Sequence, residues 1–159
     1  MTIKSTILPM LCPDGSKVEA KVEWEDVKYG EYRVAIECGG RFSEGKRADY
    51  FDAMEEARLP FEADGYRLLC YGASLNVFPS GMGRDWTQGQ ESYQFIENGP
   101  KETKDIFQTG EDVIPATVKE QRLFFLQWSQ GREGRDVEYN DHFFQWAIEP
   151  YLSRNKVGQ

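Results

Sequence analysis

Val18, Ala20, Val22 and Trp24 alternate with Glu19, Lys21, Glu23 and Glu25, a period of two that places one apolar face on a core and one charged face in water. After a turn near Tyr29 and Gly30, the residues Tyr32, Val34, Ile36 and Cys38 repeat the alternation, and Gly39 and Gly40 end it. Two such segments joined by a short turn predict an antiparallel hairpin. A hairpin with one apolar face is not stable alone, so the rest of the chain must extend it and cover that face.

From Asp49 to about Ala63 the period changes. Tyr50, Met54, Ala57 and Phe61 fall on one stripe of a helix, with Asp49, Asp52 and Glu56 on the opposite face. Pro60 lacks a backbone donor and crowds the preceding turn, which predicts a kink or an early end at Leu59. The stretch Arg67–Met82 is apolar and nearly uncharged and predicts a buried strand pair or one long bent strand. Within it Gly72 marks a bulge or a close backbone approach. Pro79 and Gly81 suit a type I turn over Phe78–Gly81.

Further strands are expected at Thr2–Leu11, at Ser92–Ile96 and, short, at Ile106–Phe107, with a loop over Gly110–Pro115. Thr117 and Glu120 form a capping box, so a helix starts there and runs toward Gln130. Leu123, Phe124, Phe125, Leu126 and Trp128 spread around its circumference, which implies deep burial or a self-association face. Asp141–Ile148 reads as a last helix, with a strand as the alternative, and residues 154–159 as a frayed tail. The expected fold is a single α+β domain over residues 1–153: a mostly antiparallel sheet of five or six strands packed by one central and one or two C-terminal helices.

Charge restricts the partners. Asp and Glu number 27 against 19 Lys and Arg, a net charge of -8, and the bases do not cluster, so a nucleic-acid backbone would be repelled. A basic protein partner would instead be attracted, and fast. No run approaches a membrane span, and Met1–Met10 lacks the layout of a signal peptide, so a cytoplasmic protein is expected. Cys12, Cys38 and Cys70 are odd in number and widely spaced, a pattern of reduced thiols rather than of disulfides or a thiolate zinc site.

Candidate chemistry is sparse. Cys70 as a thiolate with His142, the only histidine, as its base is the first enzyme reading, but the apolar neighbours of Cys70 favour an inert thiol. Ser80 stands after an apolar strand without the G-x-S-x-G of a nucleophile elbow, and Gly81, Gly83 and Gly89 lack the G-K-[ST] of a phosphate loop. Asp49, Asp52 and Glu56 offer hard oxygen ligands, yet acids in the first turns of a helix also answer its dipole, so no metal and no cofactor is expected. Their other use is an exposed acidic face for a basic partner, joined by Glu19, Glu23 and Glu25. Arg84, Asp85 and Trp86 have the composition of an interface anchor, although Trp86 folded back onto the sheet would explain it as well.

The run ADGYRLLCYGASLNVFPSGMGRD, followed by ATVKEQRLFFLQW, resembles a family of small, functionally uncharacterised bacterial proteins. They carry a G-Y-R-L-x-C-x-G-A…V-x-P-S-G-M-x-R-D core and a T-V-x-E-Q…F-x-x-W helix. The resemblance spans roughly Tyr32–Trp128, and Pro79, Ser80, Gly81, Met82, Arg84 and Asp85 are its most specific part. It departs at Trp86 and in the aromatic C-terminal segment. It implies a compact bacterial domain and supplies no mechanism. In size and acidity the chain is also similar to immunity proteins of bacterial toxin systems, an analogy without a motif. The leading expectation is a non-enzymatic module that binds a basic protein through Asp49, Asp52, Glu56, Arg84, Asp85 and Trp86. The alternatives are a small enzyme using Cys70 with His142, and a structural protein that self-associates as a homodimer through the helix from Val118.

Overall fold

The described residues of the computed structural model, 2–96 and 102–132, form eight strands and three helices. Strands β1 (Lys4–Leu11), β2 (Lys17–Lys28), β3 (Glu31–Cys38) and β4 (Arg41–Arg47) form an antiparallel meander. Helix α1 (Tyr50–Ala63) follows, and β5 (Arg67–Leu68) returns beside β1, giving the sheet order β4-β3-β2-β1-β5. A one-turn 3-10 helix over Tyr71–Ala73 leads to β6 (Val77–Phe78) and the short helix α2 (Gly81–Trp86). A second sheet, β6-β7-β8, uses β7 (Glu91–Gln94) and β8 (Glu102–Asp105), and α3 (Val118–Arg132) is the last described element. The architecture is the expected α+β one. Residues 133–159, with the expected last element and tail, lie outside the described residues.

The alternation of the first hairpin holds from Ala20 onward, whereas Val18, expected on the core face, is exposed. Ala20, Val22 and Trp24 pair with the inward residues of β1 and β3 and are buried, whereas Glu19 and Lys21 point to solvent. Onto that apolar face α1 lays Phe51, Met54, Ala57 and Phe61. The helix lies close over β4, because a Cβ at Gly45 would run into the Ala53 carbonyl and the Glu56 side chain. Gly72 meets the same demand on the other side, wedged between Met54 and Ile106. Trp24 stacks on Phe107 with ring centroids 3.8 Å apart, which places Ile106 and Phe107 in the core as plugs after β8, not as a strand.

Three further expectations need correction, and one strand was missed. Helix α1 does not end at Leu59; it runs through Pro60 to Ala63. Pro60 lies on the exposed side of the last turns, where one hydrogen bond is lost while Phe61, buried beside it, holds the turn to the core. The segment after Phe78 is no type I turn, because Ser80 Oγ accepts the Gly83 N–H at 2.9 Å and starts α2. The Arg67–Met82 stretch is two short strands around a helical turn, not one strand pair. Strand β4, whose one large apolar residue, Phe42, is exposed, carries no apolar alternation and was not expected at all.

The capping box is present in full: Thr117 Oγ1 accepts from the Glu120 N–H, and Glu120 Oε1 from the Thr117 N–H, each at 3.1 Å. It sets the register that buries Gln121, a polar residue that the apolar count around α3 passes over. Gln121 Nε2 lies within 3.1, 2.8 and 2.8 Å of the carbonyls of Gly72, Ser74 and Val77, and its Oε1 accepts from Arg58 Nη2 at 2.5 Å. One side chain therefore satisfies the irregular backbone between the 3-10 turn and β6, where no ladder does. Gln121→Ala should lower the stability to urea by roughly 3 kcal/mol, since it strands buried carbonyls and a buried guanidinium. Gln127→Ala, on the exposed side of the same helix, should stay within about 0.5 kcal/mol; equal losses would show that the Gln121 contacts carry no special weight.

Candidate functional site: the helix α2 platform and its cleft

Helix α1 begins at Asp49, whose Oδ1 accepts the Asp52 N–H at 2.8 Å. Its other oxygen, Oδ2, takes Arg84 Nη1 from α2 at 2.6 Å, and the same nitrogen lies 3.0 Å from Asp52 Oδ1. From α3, Arg122 grips Glu55 with two nitrogens, Nε to Oε2 at 2.9 Å and Nη2 to Oε1 at 3.1 Å, and approaches Asp52 at 3.6 Å. From β4, Arg47 pairs with Glu56 at 2.5 Å. The acids of α1 thus meet a guanidinium from each of β4, α2 and α3. Asp49 is only 5% exposed and so is not part of an open acidic face, whereas Asp52 and Glu56 are half-buried and each is paired with an arginine.

Burial sets the electrostatics here. Desolvation, and then repulsion from Asp52, push the Asp49 carboxyl above its usual range against the pull of Arg84. Burial alone would lower Arg84, but Asp52 and Asp49 outweigh it and hold the guanidinium charged. Glu55, fully buried, is raised by desolvation, which the Arg122 fork only partly offsets. Phe78 lies beside both cations, 5.6 Å from Arg84 and 5.7 Å from Arg122, and stacks on Phe125 at 4.2 Å.

With Arg84 turned inward, α2 is held on one side and open on the other. The Tyr50 N–H donates to the Gln88 carbonyl at 2.7 Å, tying the end of the α2 segment to the start of α1. Thr87 Oγ1 donates to the Gly83 carbonyl at 2.9 Å and accepts the Glu91 N–H at 3.0 Å, tying α2 to β7. On the open side stands Trp86, 76% exposed, so it does not fold back onto the sheet. Between α2 and the β7–β8 hairpin lies a cleft of about 140 Å³, lined by Ser80, Trp86, Thr87, Glu91, Tyr93 and Thr103 among others. The pairing of Tyr93 with Thr103 puts both on one face of the small sheet.

Of the residues named from sequence, Arg84, Asp49 and Asp52 come together, and Asp85 and Trp86 are exposed beside the cleft; Glu56 belongs to a separate pair with Arg47. Glu91 and Tyr93 were not anticipated as lining residues. Their signal was the alternation Glu91, Ser92, Tyr93, Gln94, which sends the first and third outward. Cys70 is fully buried, with its Sγ 3.8 Å from Met54 Sδ, and desolvation pushes its thiol up to about 11. His142 lies outside the described residues. Ser80, considered as a nucleophile, is occupied as the cap of α2.

Two measurements check this picture. Because the folded state raises Glu55 above its ordinary value of 4.5, the stability tied to its protonated form is present below that pH and is lost as pH rises through the folded pKa. The stability of Glu55→Gln relative to the unsubstituted protein should therefore improve as pH rises above 4.5, whatever the offset from the unpaired Arg122; a difference that is flat with pH would remove the desolvation account. In native-state thiol labelling at neutral pH, Cys12, partly exposed, should react first, and Cys38 and Cys70 only on unfolding. Rapid native labelling of Cys70 would restore it as a nucleophile.

Compared with models of known protein families and with the sequences of curated proteins, the chain matches none.

Proposed function

We propose that this protein is a non-enzymatic interaction module that binds a basic protein partner in the cytoplasm, with Trp86 as its anchor. The observation that carries this reading is a tryptophan 76% exposed at the end of a helix that ion pairs and a backbone bond hold in place. A large aromatic kept in solvent on a rigid support loses little entropy on binding, and such residues dominate interface energies. Asp85 and Glu91 stand near it, and the net charge of -8 draws a basic partner to the surface. Three free thiols suit a reducing compartment, and among the described residues no helix is long and apolar enough to cross a membrane.

Within this reading, the carboxylates of α1 act at one remove. Asp49 and Asp52 fix Arg84, and Arg84 fixes the platform that presents Trp86. An immunity-type inhibitor is the specific form that the acidity and size favour: a stoichiometric cover for a basic toxin, needing no catalytic group.

Affinity capture from lysate of the source cell, with the tagged protein and its Trp86→Ala variant run in parallel, tests the proposal. A basic protein should be retained in stoichiometric amount, released as salt rises, and bound at least about tenfold more weakly by the variant. Equal retention by both would remove Trp86 from the interface, and a partner indifferent to salt would remove the electrostatic attraction. For the inhibitor form, co-expression should protect cells from the captured protein.

A further inference from the structure

Resting on the basic-partner reading, we propose that the cleft between α2 and the β7–β8 hairpin receives one cationic side chain, lysine or arginine, of the partner. Its volume, about 140 Å³, is well below the roughly 300–1,000 Å³ of small-molecule sites and suits a single inserted side chain. Two of its lining residues are aromatic, Trp86 and Tyr93, whose ring faces attract a cation. Glu91 is the carboxylate among the lining residues, and no lysine or arginine among the described residues lines the cleft.

Among the described residues, the nearby bases are directed elsewhere. Arg84 is drawn to Asp49 and Asp52, and Lys104 lies on the face of β8 opposite Thr103, where it pairs with Glu102 at 3.4 Å. An anion would meet Glu91 and find the Thr87 hydroxyl already donated to Gly83. A purely apolar side chain would desolvate Glu91 without a counter-charge. A cation on an aliphatic stem satisfies both halves of the cleft: the stem lies along the rings and the charge meets the carboxylate.

The probes are short blocked peptides, acetyl-Gly-Lys-Gly-amide, its arginine counterpart and the Nε-acetylated lysine form, added to protein labelled with nitrogen-15. The indole signal of Trp86, identified by its loss in Trp86→Phe, should shift together with the amides of Tyr93 and Thr103. Glu91→Gln should weaken the response by about threefold, in line with one exposed charge contact, and the acetylated peptide should have no effect. A response to only one of the two cationic peptides names the residue that the cleft selects. Shifts elsewhere with none in the cleft, equal shifts from the acetylated peptide, or an unchanged Glu91→Gln response would overturn the assignment. Failure here and failure of the partner reading are separable. A captured partner that still depends on Trp86 while the cleft ignores the peptides leaves the module and removes only the cationic insertion.

Discussion

Charge pairing across helix α1 is the constraint on which the rest of this structure depends. The helix brings Asp49, Asp52, Glu55 and Glu56 to the surfaces where β4, α2 and α3 must dock, and each of those elements answers with one arginine. Buried ion pairs contribute little net stability, because desolvation offsets most of the attraction, but a missing partner is expensive. That asymmetry is a device for position: α2 and α3 can slide on an apolar core at small cost, and cannot slide without stranding a carboxylate.

A second fastener is neutral. Gln121 closes the gap between α3 and the irregular backbone from Gly72 to Val77, and through Arg58 joins the acids of α1. Arg58 in turn lies 3.3 Å from Glu62, whose other oxygen accepts the Val118 N–H at 3.0 Å, the first amide of α3. Gly72, Ser80, Arg84 and Gln121 are thus the residues that hold the short segments of this region together.

The elements read from periodicity alone are those that bury one face against one partner. The β2–β3 hairpin, α1 and the start of α3 are of this kind, since alternation and capping are local properties. Strand β4 escaped because its inner face is held by Gly45 and by contact with α1, and its sequence RFSEGKR has no apolar rhythm. Helix α2 escaped because Gly81 and Gly83 argue against a helix that a serine cap and Thr87 nonetheless complete. Asp49, Asp52 and Glu56 were visible, but Glu55 and the arginine partners were not: Arg122 lies 67 positions from Glu55, and no local pattern links them. Trp86 stands out in composition, but its exposure depends on where Arg84 turns, and that is decided by the tertiary fold.

The edges of the larger sheet bear on how another chain can approach it. On β4, Glu56 Oε1 accepts the outward Lys46 N–H at 3.2 Å, and Arg41, Glu44, Lys46 and Arg47 spread charge along the strand. At the opposite edge, β5 is only two residues long. Because β5 pairs with β1 only at Met10 and Leu11, Lys4–Leu8 has no paired strand on that side among the described residues. At the β4 margin, by contrast, the Glu56 contact and the charged side chains discourage association by backbone pairing, which reads little sequence and tends toward polymers, and recognition there is left to side chains, where selectivity between similar partners resides.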